Sequence, residues 1–182
     1  MATVNLLPNV DVSNDWTLST GSDVYALLDD DNTGSVASDS NYLSATTPTQ
    51  TFTVGMESFT ESFSSIDSVT GFVRCGCGQR SKTYSLDLAI LHSGGTFIAN
   101  ENSGTINSNR FYQSHTYTAR TTSDGSTAWS NSDLNDIRLK LTLNSISASA
   151  TVNITYCQFI VTYTEPLATD NAIFFGCNFW DL

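Results

Sequence analysis

The chain has 182 residues, of which 14% are charged, and a formal net charge of −11 at pH 7, with a pI near 4.2. One domain of this length hides roughly 70% of its unfolded surface, enough for a substantial core. The seven Lys and Arg are scattered, and an acidic surface repels nucleic-acid phosphates and anionic membranes, so neither is an expected partner.

Ser, Thr, Asn, Asp and Gly separate short apolar runs in which Thr, Val, Tyr and Phe prevail, a composition that favours strands. No stretch approaches bilayer-spanning length, and residues 1–8 lack the basic start and apolar run of a signal peptide. Assembly in a cytoplasm is therefore expected, with Cys75, Cys77, Cys157 and Cys177 as thiols. A disulfide from Cys75 or Cys77 to Cys157 or Cys177 stays open as the alternative.

In chain order, strands are predicted at residues 3–7, 16–18, 23–29, 41–45, 50–54, 69–77, 82–92, 96–99, 110–120, 136–143 and 150–164. Pro8 is expected to end the first, because it has no N–H for further pairing. Tyr84, Leu86, Leu88 and Ile90 alternate with Ser85, Asp87 and Ala89, and Ile137, Leu139, Leu141 and Leu143 alternate with Arg138, Lys140 and Thr142. Period two of this kind sets one face on a core. The run 156–163 is apolar on both faces and reads as a central strand. Turn signals lie at residues 30–34, 93–95, 102–104 and 123–126. A short helical turn is expected at 132–135, capped by Ser130 or Ser132. The expected fold class is all-β, an antiparallel two-sheet β-sandwich with jelly-roll character. Residues 1–165 form that sandwich, and residues 166–182 form an aromatic C-terminal arm.

The arm carries Ile173, Phe174, Phe175, Phe179 and Trp180. Termini are usually polar and loose unless tied down, so this one either folds back as an extra strand or docks on a neighbouring subunit or particle.

No constellation for catalysis stands out. His92, at a strand end before a turn, and His115, in a strand alternation, read as structural residues. There is no Gly-x-Ser-x-Gly elbow. Glu57, Glu61, Glu101 and Glu165 do not share a strand face, and Asp87 is a lone strand acid, so paired carboxylates for glycoside hydrolysis are not expected. Cys75 and Cys77 fall on one strand face and read as small core residues rather than zinc ligands. The run 29–34 resembles the start of a calcium loop but lacks the distal bidentate Glu. The glycine-rich run 71–78 reads as a strand with close backbone packing. No metal and no cofactor are expected. Trp16, Tyr25, Tyr42, Tyr112 and Trp129 are candidates for a sugar-stacking platform, although strand aromatics usually pack inside.

Several pieces recur in a familiar order: Leu6-Leu7-Pro8-Asn9, Asp15-Trp16 through Gly21-Ser22, Tyr25-Ala26-Leu27-Leu28-Asp29, Asn41-Tyr42-Leu43, Ser93-Gly94-Gly95-Thr96 and Ala128-Trp129-Ser130 through Asp133-Leu134-Asn135. Over roughly residues 5–164 the chain resembles a β-sandwich domain common among structural proteins of tailed bacteriophages. The resemblance brings no catalytic residues. It implies a non-enzymatic virion protein, a capsid decoration (cement or head-fibre) protein on the capsid exterior. Its expected partners are the major capsid protein and sister subunits, as a homo-oligomer, a trimer being the commoner arrangement. The alternative is a tail-fibre or appendage module that binds a host surface glycan. A glycan-cleaving enzyme is the third reading. The Cys75-Gly76-Cys77 strand and the aromatic arm depart from the family pattern, and the arm is the expected docking element.

Overall fold

The computed structural model describes residues 1–28, 40–95, 97–108 and 112–167, with backbone alone at 97–100. The strands are β1 (Ala2–Leu6), β2 (Pro8–Asn14), β3 (Thr17–Leu18), β4 (Leu43–Ala45), β5 (Thr51–Met56), β6 (Ser65–Cys77), β7 (Thr83–Leu91), β8 (Phe97–Asn102), β9 (Ile106–Asn107), β10 (Gln113–Thr116), β11 (Arg138–Ile146) and β12 (Val152–Thr164). A 3-10 turn at Tyr25–Leu27 and a short helix α1 (Asn131–Leu134) complete the described elements.

The fold is an all-β sandwich of two antiparallel sheets. The first runs β10-β6-β12-β4-β3, with β1 also on β12; the second runs β2-β5-β11-β7-β8, with β9 on β7. The alternation expected on β11 and β7 places Leu139, Leu141, Leu143, Tyr84, Leu86, Leu88 and Ile90 between the sheets. β12 is central and pairs with β6 along its length. A bulge at Thr155 switches its parity, since Ile154 faces Cys75 but Tyr156 faces Arg74. Val152 and Ile154 therefore point inward before the bulge, and Cys157, Phe159 and Val161 after it. Tyr156 and Gln158 lie on the outer face and are still only 1% and 6% exposed. Trp16 packs edge-on to Phe52 at 5.5 Å, and the buried Trp129 donates its indole N–H to the Arg120 carbonyl at 2.8 Å.

Three expectations are corrected. The first strand ends at Leu6, before Pro8, but the proline does not stop further pairing; it opens β2, opposite Met56. Proline is tolerated as the first residue of an edge strand, and the Met56 N–H is satisfied elsewhere, by the Ile137 carbonyl. Residues 23–28 are not a strand. The Asp11 carboxylate accepts from the N–H groups of Val24 and Tyr25 at 2.8 Å each, which caps a 3-10 turn there. The long strand expected at 110–120 shortens to β10, after which Tyr117 and Arg120 make separate backbone bonds to Gly71 and Val69. β9 and most of β2 had no apolar alternation strong enough to predict them.

The expected turns at 93–95, 102–104 and 123–126 are present, with Gly95, Gly104 and Gly125 at positive φ. Ser130 caps α1 in a reciprocal box with Asp133. The acidic run 29–34 lies outside the described residues. No helix among the described residues is long and apolar enough to cross a membrane.

Candidate functional site

The residues first considered for chemistry are dispersed by the fold. His92 Nδ1 accepts from the Gly94 N–H within its turn. His115 stands edge-on to the Tyr117 ring at 4.8 Å, and partial burial lowers its pKa against the pull of Glu101. Asp87 pairs with Asn102, and its neighbour Leu88 with Glu101. Successive strand residues point to opposite faces, so Asp87 and Glu101 do not oppose each other across a cleft. Glu101 instead binds the backbone and hydroxyl of Thr118 and an ion-pair partner, Arg120, at 3.2 Å.

Cys75 and Cys77 are buried in the core, as the strand reading expected. Burial pushes the Cys75 thiol up to about 11, against a weak hydrogen bond from the Tyr84 hydroxyl at 3.4 Å and the Arg74 charge. A thiol held protonated is a poor nucleophile and a poor metal ligand. Among the described residues no three His, Cys, Asp or Glu side chains converge as a metal set.

Of the five platform aromatics, Trp16 and Trp129 are core residues, and Tyr25 packs against the core. Tyr42 and Tyr112 are half-buried. Tyr112 lies at the centre of the most site-like corner of the molecule, on the outer face of the first sheet. Its position depends on Gly76: a Cβ there would fall 2.9 Å from the Tyr112 ring and 3.2 Å from its Cα. The glycine lets the ring approach the strand backbone, and this is the close packing expected from the run 71–78. The Arg74 guanidinium sits 5.8 Å from the centre of the same ring. Asn153 Nδ2 donates to the Tyr112 hydroxyl at 3.1 Å.

The ladder register extends this corner along the sheet. Arg74 lies between Ser114 and Tyr156, and Phe72 between Thr116 and Gln158. Phe72 meets Tyr156 edge-to-face at 5.9 Å, and the Tyr156 hydroxyl donates to Gln158 Oε1 at 2.5 Å. Around the β10 edge the corner continues into a groove of about 400 Å³. Ser103, Thr105 and Asn107 line it from one side, Gln113, Ser114 and His115 from the other, and Ile106 is its apolar residue. Gln113 Nε2 reaches the Asn107 carbonyl at 3.4 Å across it.

Chemically, the corner and its groove offer an aromatic face, a guanidinium and several amides and hydroxyls, each able to donate or accept without proton transfer. Sequence reasoning singled out Tyr112 but missed Arg74, Gln113 and Asn153. The alternation of Phe72 and Arg74 against Val73 and Cys75 was the available signal for an outward polar row. The arm residues Ile173, Phe174, Phe175, Phe179 and Trp180 lie outside the described residues.

No protein-family model matches the chain, and no curated protein matches it. Solved structures are similar at low identity. An arabinose-bound α-L-arabinofuranosidase aligns at 11% identity and a TM-score of 0.48, over 83% of this chain and 22% of its own; this chain thus spans under a quarter of that enzyme. A CBM32 module of AlyQ, in complex with 4,5-unsaturated mannuronic acid, aligns at 14% identity and 0.42, over 83% of this chain and 98% of its own. The xylan-binding module CBM15 aligns at 13% identity and 0.34, over 91% of this chain and all of its own. The sandwich architecture rests on the sheet topology of the chain itself.

Proposed function

We propose that this chain is a non-enzymatic β-sandwich module that binds a neutral glycan at the Tyr112 corner, the alternative to capsid decoration among the readings the family resemblance leaves open. The observation that supports this is the ring of Tyr112, laid on Gly76 and flanked by Arg74 and Asn153, beside a groove of amides and hydroxyls. A sugar ring presents an apolar C–H face to an aromatic and a rim of hydroxyls to planar polar groups. The net charge of −11 disfavours polyanionic glycans. Tyr112→Ala removes stacking and one hydrogen bond, together about 1–2 kcal/mol, so affinity should fall roughly 5–30-fold. Affinity electrophoresis against a panel of neutral polysaccharides reads this. Undiminished binding by a folded Tyr112→Ala protein would remove the site, and no binding to any glycan would remove the reading.

A second reading, favoured by the ordered motifs and the aromatic run after Pro166, is capsid decoration. Here Ile173, Phe174, Phe175, Phe179 and Trp180 dock on the major capsid lattice. Deleting residues 167–182 should then abolish binding to stripped capsids while leaving the sandwich folded; unchanged binding would sink it.

A further inference from the structure

We propose that the chain self-associates through the outer face of its second sheet at β2, with a second copy seated on the slot above Gly55. The ladder sets Val10 opposite Gly55 and Gly55 opposite Arg138, so the space a side chain on Gly55 would fill is left to its neighbours. Val10 leans over it: a Cβ on Gly55 would fall 2.6 Å from Val10 Cγ1. The resulting depression holds about 400 Å³, with Val10, Val12 and Met56 as its apolar part and Asp11, Asp136 and Arg138 as its charged part. Val10 and Val12 are 51% and 42% exposed, and among the described residues the other exposed large hydrophobics are Met1 and Leu167, near the two ends of the described chain. Two bulges in β2 carry the valines out of the regular alternation.

The charge pattern selects the occupant. Two copies of a chain with net charge −11 repel each other unless the contact pairs opposite signs. This slot carries both signs around an apolar centre. Both acids accept hydrogen bonds from backbone N–H groups, Asp11 from Val24 and Tyr25 and Asp136 from Ser93. A twofold axis over the valines sets Arg138 of one copy against the acids of the other. Such self-complementarity is what an isologous interface requires. A uniformly cationic partner would meet Arg138, and a uniformly anionic one the two acids. A stable contact needs about 1,200 Å² in total, so the exposed β2 residues around the valines belong to it.

Sedimentation velocity over a concentration series of the full chain tests this. A reversible dimer is expected. Val10→Lys with Val12→Lys should weaken it by roughly tenfold or more, as should Arg138→Glu. Val10→Thr with Val12→Thr keeps the branched shape and strand preference, and should weaken it several-fold while leaving the melting curve unchanged at concentrations where the parent is monomeric. Deleting residues 168–182 should leave the dimer intact, and glycan binding at the opposite sheet should be unaffected by the β2 changes. A monomer at every concentration, a dimer indifferent to both valine pairs, or a dimer lost with residues 168–182 would overturn the proposal.

Discussion

Replacing Gly76 by Ala puts one methyl group under the ring on which the proposed site depends. That methyl would stand 2.9 Å from Tyr112 Cδ1 and 3.2 Å from its Cα. The ring alone cannot relieve the contact by rotating, because the backbone at Tyr112 is also too near. The segment must lift by some tenths of an ångström, which strains the bond from Asn153 to the Tyr112 hydroxyl. Overpacking of this kind costs about 1–3 kcal/mol, or about 2–4 °C in Tm per kcal/mol for a chain of this size. Gly78→Ala is the control, since a Cβ there meets nothing within 4 Å. Gly71→Ala separates stability from binding, since its Cβ would fall 2.7 Å from Leu88 in the core, away from the corner. Urea unfolding and affinity electrophoresis on the three variants give a clear pattern. Gly76→Ala should lose both stability and glycan affinity, Gly71→Ala stability alone, and Gly78→Ala neither. A Gly76→Ala protein that binds as tightly as the parent would refute the role assigned to Tyr112.

Ser130→Ala removes the side chain that caps α1 and accepts from the Asp133 N–H, and should cost about 1 kcal/mol, read as a shift of the urea midpoint at constant slope. Stability should also fall in mild alkali. Cys75 holds its proton up to about 11 in the fold, whereas an unfolded thiol loses it near 8.5. Below the unfolded value the contribution is complete; between the two values the unfolded chain binds fewer protons, and stability drops by at most about 1.4 kcal/mol per pH unit. Urea midpoints at about pH 8 and about pH 9.5 should therefore differ more in the parent than in Cys75→Ala; equal differences would contradict the assignment. Burial also raises the Tyr84 and Tyr117 hydroxyls, which extends the loss above the ordinary tyrosine range.

The sandwich was legible because its central strands are long and strictly alternating. Leu139, Leu141 and Leu143 against Arg138, Lys140 and Thr142 can satisfy their surroundings in one way only. Edge elements were not legible for the converse reason. β2 reads Pro-Asn-Val-Asp-Val-Ser-Asn and owes its place to ladder bonds and to Asp11, not to an apolar face. The segment Tyr25–Leu27 alternates like a strand, but its backbone is captured by a distant carboxylate. The candidate site was half legible. Tyr112 was visible as an aromatic, and the glycine run as a place of close packing. Their meeting depends on Gly76 and on the neighbours brought beside it by the register of β6 with β12. A one-residue bulge at Thr155 decides which face of β12 carries Tyr156 and Gln158, and nothing in the local sequence marks it.

The most direct measurement of the central claim is an amide NMR titration of the chain with the neutral oligosaccharide that binds best. The account expects shift changes clustered at Arg74, Gly76, Tyr112, Gln113, Ser114 and Asn153. Changes centred on the opposite sheet around Arg138, or no saturable change with any neutral glycan, would contradict it.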